Sequence, residues 1–464
     1  MARTLAQQGK LRSMSKSIEL CILAAGKGSR MKSSRPKALQ SLAGRPLLEH
    51  LLDATRSLSA VRTHVVIGSG ANLVRKAFAK SDLSFVDQTE QLGTGHAVQQ
   101  VLPHLSADRL LILLGDAPLV SEASLKRLLA ADCDLGVLTA DHPNPYNYGR
   151  IVQDGDQVKA IVEERDASPE ELTIREINTG VMIADTALLS HWLGELRSDN
   201  DQGEYLLTDI VRIARDQGHR VIAVKADDHR EVQGVNNYEQ LAELEQYYQE
   251  LAAVRLQAEG MQIVDPRRFT LRGRLSGGHD VFIDVNCVFE GQVTLGNNVT
   301  IGANVVINNA EIADGSVIKP FTHIDGAVIG DNCSVGPFAR LRPGTHFEAN
   351  VAVGNFVEIK KSRLGIGAKA PHLSYLGDAT IGKSVNIGAG AITCNYDGVN
   401  KSETHIEDGV FVGSNASLVA PVTLGERSTI AAGSVITSNI PSRALGVARG
   451  KQRNIDGWKG PRDK

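Results

Sequence analysis

The sequence predicts an α/β chain of two domains, a doubly wound domain followed by a left-handed parallel β-helix built from six-residue repeats. Three observations predict it. At 464 residues the chain exceeds what one hydrophobic core normally serves. Its first half alternates short apolar runs with helical patterns, and its second half repeats an apolar residue every six positions.

The opening residues 1–17 are polar and basic, with no apolar core of signal-peptide length, and read as a mobile tail in which Met14 is an alternative start. From Ile18 to Asn237 the runs IELCILAAG, THVVIGSG, RLLILLGDAPLV and CDLGVLTA read as buried parallel strands ending in Gly, Asp or Thr. Helical stretches separate them, such as Pro46 to Leu58 and His96 to Leu105. In such sheets ligands sit beyond the carboxyl ends of the strands, where these Gly and Asp residues fall.

Residues 238–262 form a connecting segment whose Leu241, Leu244, Tyr248 and Leu251 recur at helical spacing, with Gly260 closing the helix. Residues 263–464 carry the repeat and a basic tail. The hexad residues are Ile283, Phe289, Leu295, Ile301 and Ile307, then Ile312, Ile318 and Ile324. They continue as Ile329, Val335, Leu341, Phe347, Val353 and Ile359, and end as Ile406, Val412, Leu418, Leu424, Ile430 and Ile436. Each points into a narrow axis, with small residues at the corners. Breaks in the period are expected across His372 to Tyr375 and between Cys394 and His405, and in a solenoid such breaks mark loops on one face.

Composition narrows the classes of function. Hydrophobic content of 42% and charged content of 22% are those of an ordinary globular chain, while 45 glycines and only 4% aromatics favour tight turns. A net charge of −3 gives no reason to expect nucleic acid as a partner. The five cysteines are scattered, with no C-x-x-C, which reads as reduced thiols in a cytoplasmic protein. No run approaches the ~18 apolar residues of a membrane span.

The first chemical constellation follows the first strand. Gly26, Lys27 and Gly28 lead into Arg30, with Lys37 shortly after, and such a turn either brings backbone N–H groups and positive charge to phosphates or is a plain tight turn. It is neither a Walker A motif nor a complete dinucleotide fingerprint. Gln88 and the turn Gln91 to His96 follow a later strand, and Asp116 ends the most apolar strand with a carboxylate suited to Mg²⁺ beside a triphosphate. Gly149, Glu163, Asn178 and Asn236 lie in stretches whose amides and carboxylates suit sugar hydroxyls.

The combination LAAGKGSRM, RPKAL, QLGTGHA, GDAP, YGRI, EINTGV and GVNN resembles the Rossmann-like nucleotidyltransferase half of the bifunctional N-acetylglucosamine-1-phosphate uridyltransferase/glucosamine-1-phosphate acetyltransferase family. With the β-helix included, the resemblance covers nearly the whole chain. It implies that Leu23, Ala24, Ala25, Gly26, Arg30 and Lys37 contact UTP, with Gln88, Gly93 and Thr94 reading the uracil. It implies that Gly149, Glu163, Asn178 and Asn236 hold the UDP-sugar, and that Asp116 and Asn236 bind Mg²⁺. One position departs: the family often has Tyr before the Gly-Asp pair, where this chain has Leu114, so one hydroxyl contact is lost.

The β-helix carries a second constellation in PFARLRPGT, VEIKKSR, APHLSYLGD and VNIGAGAITCNYDG. Each polar residue alone reads most simply as solvated coil surface. Arg342 and Lys360 on coils preceding His372 and Tyr375 nevertheless suit a sugar phosphate, and a histidine can take a proton from an amine attacking a thioester. The resemblance implies that Arg342, Lys360, Tyr375 and Asn386 hold glucosamine 1-phosphate and that His372 is the general base. Ala389, Asn395, Tyr396, Ser414, Ala432 and Arg449 would line the acetyl-CoA site, with direct attack and no acyl-enzyme on Cys394. It further implies a cytoplasmic homotrimer making UDP-N-acetylglucosamine for peptidoglycan and lipopolysaccharide.

Competing readings remain at the level of sequence. A nucleotidyltransferase for another nucleotide sugar would leave the β-helix an oligomerisation scaffold and His372 idle, and release of free CoA with glucosamine 1-phosphate separates the two. A purely structural β-helix predicts no clustering of Arg, Lys, His and Tyr. A metal-dependent hydratase is disfavoured because His279, His323, His346, His372 and His405 form no close pair in sequence.

Overall fold

The computed structural model describes residues 16–26, 28–200 and 203–462. Most of the expected tail, residues 1–15, lies outside the described residues, as does Lys27. Ser17 already belongs to the first unit, its N and Oγ donating to Asp108 Oδ2 at 2.8 and 2.7 Å. The chain divides into two compact units after Tyr248.

The first unit holds a nine-stranded sheet. Its strands are β1 (Ile18–Ala24), β2 (Thr63–Ile67), β3 (Ser84–Asp87), β4 (Arg109–Leu114), β5 (Leu135–Asp141), β6 (Arg150–Asp154), β7 (Gln157–Val162), β8 (Glu176–Asp185) and β9 (Val221–Lys225). The order across the sheet is β9-β5-β8-β4-β1-β2-β3, with the β6–β7 hairpin attached to β8. The apolar runs are continuous because helices cover both faces. Leu110 and Ile112 enter the core on one side, while Leu111 and Leu113 enter the core on the other.

The parallel pairings β1–β2, β1–β4 and β2–β3 match the doubly wound reading. The sequence did not reveal β8 as a strand. It runs antiparallel between β4 and β5, and its Met182 pairs both Ile112 and Val137. Its first half is polar, with Glu176 and Asn178, and its register shifts between Asn178 and Met182, around Gly180 at φ +78°.

A helix spans Tyr238–Ala258. Leu244 and Tyr247 are buried against Met31, Leu42 and Val235, but the single stripe expected through Leu251 does not continue. Leu251 is exposed, and the buried positions beyond it are Ala252, Ala253 and Leu256. The buried positions change where the helix passes from the first unit to the second, which a regular spacing of three and four residues could not foresee.

The second unit is the left-handed parallel β-helix. Every hexad residue named above is 3% exposed or less. One flank is an eleven-stranded parallel sheet, and a sixteen-stranded sheet wraps the other two. The wrap is continuous because Val306–Ile312 pairs with His323–Asp325 through its first half and with Ala327–Ile329 through its second. Corners fall on left-handed residues such as Asn286, Asn304, Asn332 and Asn350, all near φ +55 to +61°. Asn tolerates that region better than other non-glycine residues.

The break expected across His372 to Tyr375 is absent. Ala370 pairs Val353, Leu376 pairs Ile359, and both are buried, so the coil runs through His372 unbroken. An inward alanine is too small to register as an apolar hexad residue. The break after Cys394 is real. Neighbouring coils are offset by 17 or 18 residues, whereas Lys383 donates to Asp408 across 25. The extra residues form a loop closed by an antiparallel bridge between Tyr396 and Lys401.

Candidate active sites

The first site lies at the carboxyl ends of β1 and β4. A cavity of about 500 Å³ is lined by Leu23, Ala24, Ala25, Gly26, Lys37, Gln88, Gly93, Thr94 and Asp116. A second lobe of about 420 Å³ adds Arg30, Gly149, Glu163, Asn178 and Asn236. The lobes share Thr94, Leu114 and Asp116, so every residue expected at the nucleotide and sugar positions borders one continuous cleft.

Charge concentrates where the lobes meet. Lys37 Nζ bonds the Asp116 carboxylate and donates to Asn236 Oδ1 at 3.0 Å, and Arg30 donates to the same amide oxygen at 2.9 Å. Asp116 and Asn236 come from separate loops, locked together by the Val235 N–H donating to the Asp116 carbonyl at 2.9 Å. In the sugar lobe, a Cβ placed at Gly149 would lie 3.6 Å from Glu163 Oε1 and 3.7 Å from the Asn178 Cβ, so these residues converge. Burial raises the Glu163 pKa above the ordinary carboxylate value.

The two glycine turns serve different ends. A Cβ at Gly26 would meet nothing within 4 Å among the described residues, which leaves open space beside its backbone for a ligand. Gly93, at φ +108°, is required by the protein itself, since a Cβ there would stand 2.5 Å from the Tyr205 carbonyl oxygen. Gln88 is buried and donates to the Gly93 carbonyl at 3.0 Å, which fixes the turn.

Sequence reasoning missed the walls behind these groups. Glu204 lines the base lobe, and Tyr205 holds the glycine turn by accepting from Gly95 N at 2.8 Å. Glu231 is buried and accepts from Ser121 N at 3.0 Å, Ser124 Oγ at 2.7 Å and Asp227 N at 3.2 Å. It thereby ties the segment after Asp116 to the one before Asn236. A lone acidic residue in a polar stretch gave no signal of this.

The second site lies on the β-helix. Arg342 follows, Lys360 ends and Tyr375 opens strands stacked on one flank, where Glu358 pairs Tyr375 and Lys360 pairs Gly377. Arg342 donates to Glu358 Oε1 at 2.8 Å. His372 stands around the corner in register with Asn355, its Nδ1 2.9 Å from the Asn355 Oδ1. An amide oxygen only accepts, so Nδ1 carries a hydrogen, and in the neutral ring Nε2 is then the nitrogen with the free lone pair. Asn386 pairs Lys369 and Phe411 on the same flank as His372.

The positions expected for acetyl-CoA climb the same edge. Ile387 pairs Val412 and Val412 pairs Ile430, which sets Ala389, Ser414 and Ala432 one above another, and Arg449 donates to the Ala432 carbonyl at 2.9 Å. Asn395 and Tyr396 open the inserted loop. Asn395 is anchored by the buried Asp378 carboxylate, while the Tyr396 hydroxyl donates to the Gly398 carbonyl. Beside His372 runs an exposed apolar ladder of Phe321, Phe338, Phe356 and Leu373, with ring centroids 4.9 and 5.4 Å apart along the phenylalanines.

The fold and both sites define a nucleotidyltransferase joined to a hexapeptide-repeat transferase. Family comparison agrees: residues 20–167 match the MobA-like NTP transferase domain, 273–364 the GMPPB C-terminal domain, and 403–438 the bacterial transferase hexapeptide of six repeats. Over 450 residues the chain is 54% identical to the bifunctional protein GlmU of Marinobacter nauticus, covering 96% of this chain and 99% of that one. It is 52% identical to the GlmU of Stutzerimonas stutzeri, covering 97% and 100%. With the GlmU of Idiomarina loihiensis the identity is 51%, over 96% and 99%.

The chain belongs to the bifunctional GlmU family. It is an enzyme with uridyltransferase and acetyltransferase activities in the synthesis of UDP-N-acetylglucosamine, as the motif resemblance implied. Among the described residues no helix is long and apolar enough to cross a membrane.

Proposed function

We propose that the β-helix acetylates glucosamine 1-phosphate from acetyl-CoA, and that the α/β unit then joins the product to UTP through the residues assembled in its cleft. The observation that carries this reading is the convergence of Lys37, Arg30, Asp116 and Asn236 between a base-sized and a sugar-sized lobe. A phosphate oxygen of N-acetylglucosamine 1-phosphate attacks the α-phosphorus of UTP in line and pyrophosphate leaves. The attacking group is already an anion, so no general base is needed, and positioning with charge neutralisation does the work.

Mg²⁺ fits the donor set. The carboxylate and amide oxygens of Asp116 and Asn236 already converge on one cationic atom, and hard oxygen ligands are what Mg²⁺ takes. When bound there it would neutralise charge developing on the phosphates. Gln88, Gly93 and Thr94 would face the uracil, with Leu23, Ala24, Ala25 and Gly26 along the nucleotide, while Gly149, Glu163 and Asn178 would face the sugar.

In the acetyl step the amine of glucosamine 1-phosphate attacks the thioester carbonyl. His372 Nε2 takes the amine proton and the CoA thiolate leaves, with no acyl-enzyme. Arg342, Lys360, Tyr375 and Asn386 would hold the sugar phosphate, and Ala389, Asn395, Tyr396, Ser414, Ala432 and Arg449 the acetyl-CoA. The exposed ladder of Phe321, Phe338, Phe356 and Leu373 supports burial of this edge against further copies, in a homotrimer. Scattered free cysteines support a reducing, cytoplasmic location.

The test is incubation of the full chain with glucosamine 1-phosphate, acetyl-CoA, UTP and Mg²⁺. UDP-N-acetylglucosamine should appear only when every component is present. Its absence, with each substrate otherwise competent, would overturn the reading.

A further inference from the structure

The expected metal ligands already hold a cation. Asp116 follows β4 and Asn236 lies in a separate loop, yet both oxygens bind one atom, the ammonium of Lys37. Lys37 and Asp116 are both largely shielded, with 16% and 25% of their side chains exposed, so the contact is not a loose surface pair. A divalent cation held at ~2.1 Å from the same oxygens would need the space Nζ fills. Two positive charges cannot share that point without strong repulsion.

We infer that Lys37 is a placeholder for the metal: it occupies the cation position in the metal-free protein and is released from Asp116 when the metal binds. The inference rests on the reading of Asp116 and Asn236 as metal ligands. Lys37 lies under the first glycine turn, where a Cβ at Gly28 would stand 3.3 Å from the Lys37 Cβ. Freed from Asp116, its four-carbon stem lets the ammonium swing toward the open backbone at Gly26, where nucleotide phosphates would lie. Metal entry and delivery of the lysine are then one event, and metal without nucleotide binds weakly because it must displace an internal ion pair.

Two measurements on the full chain test this, neither of them a turnover assay. The first is Mn²⁺ binding without nucleotide, followed by the electron paramagnetic resonance of free Mn²⁺. Lys37→Met should bind Mn²⁺ about tenfold or more tighter than the unchanged protein, since its competitor is gone. Arg30→Met, which removes a charge that hydrogen-bonds Asn236 and, among the described residues, not Asp116, should gain much less. No gain in Lys37→Met, or the same gain in both variants, would overturn the placeholder. If Mn²⁺ still binds Lys37→Met equally well after Asp116→Asn is added, the metal lies elsewhere and the ligand reading itself fails.

The second measurement needs no variant. Reductive methylation, read by mass spectrometry, should label Lys37 slowly without metal and severalfold faster with Mg²⁺ alone. The exposed Lys126 serves as the internal reference. Equal labelling of Lys37 with and without Mg²⁺ would overturn the inference.

Discussion

Asn355 Oδ1 accepts from His372 Nδ1 at 2.9 Å across one turn of the β-helix. The pair is in register between adjacent strands, so the backbone ladder sets the ring's orientation. The bond fixes the tautomer that leaves Nε2 free to take a proton.

His372→Ala should therefore lower acetyl transfer by about 10²–10⁴-fold, the usual worth of a general base. Asn355→Ala keeps the imidazole but frees its tautomer, and a loss of roughly tenfold is expected. Uridylyl transfer should stay within about twofold in both, because that chemistry sits in the other unit. A coupled assay of each half reaction checks this, and unchanged acetylation in His372→Ala would sink the base assignment.

Asp116 makes the complementary case. Asp116→Ala removes a ligand oxygen and the anchor of Lys37 together, so UDP-sugar formation should fall by about 10³-fold or more. CoA release with glucosamine 1-phosphate should persist. Near-normal uridylyl transfer in this variant would contradict the role given to the carboxylate.

The architecture was readable because its periods were clean. The hexad residues predicted to point inward are buried, and strands such as Leu110 to Leu113 read as continuous apolar runs because alternate residues serve two cores. Two kinds of feature escaped. Ala370 points inward but is too small to count as apolar, which produced a false break beside His372. The antiparallel strand Glu176–Asp185 starts polar because Asn178 faces the cleft, so it read as a motif and not as a strand. The residues expected in the cleft do line it, yet Glu204 and Glu231, which shape it, carry no periodicity and no motif.

The apolar ladder predicts an assembly effect. Phe356 is 57% exposed and stacks on Phe338 at 5.4 Å. Phe356→Glu should leave the coil folded, since the side chain points outward, but place a charge on the surface proposed to meet other copies. Light scattering after size exclusion should show the trimer's mass falling to that of a monomer. Acetyl transfer should fall with it and uridylyl transfer should not. A monomeric parent protein would refute the interface.

Glu231 predicts a loss without touching substrate. Its three bonds hold the segment following Asp116 against the segment preceding Asn236. Glu231→Ala strands buried donors, at a cost of about 3 kcal/mol in the first unit. Glu231→Gln keeps an accepting oxygen and should cost less. Thermal unfolding ranks the variants, and uridylyl transfer should demand more Mg²⁺ in the order parent, Gln, Ala. Equal stability of all three would mean that the carboxylate is not the tie.

His64 gives the pH dependence. Its ring is fully buried on β2, with neither nitrogen hydrogen-bonded among the described residues, and Glu19 Oε2 is 3.9 Å away. Glu19 instead accepts from Ser106 N and Oγ at 3.0 and 2.9 Å, and the ring of His104 lies 6.4 Å off. Burial lowers the His64 pKa from the ordinary 6.5, and the Glu19 carboxylate only partly offsets it against Arg62 and His104. The folded ring therefore stays neutral where the unfolded ring takes a proton. Its contribution is fully present above about pH 6.5 and is lost as pH falls from there through the lowered folded value. His64→Phe removes the titration, so the drop in Tm between pH 7.5 and 5.5 should be smaller than in the parent. The buried His50 and the partly buried His142, shifted in the same direction, remain in both proteins and cancel in the comparison. An unchanged slope would show that His64 is already protonated in the fold, paired with Glu19, at the acid end of this range.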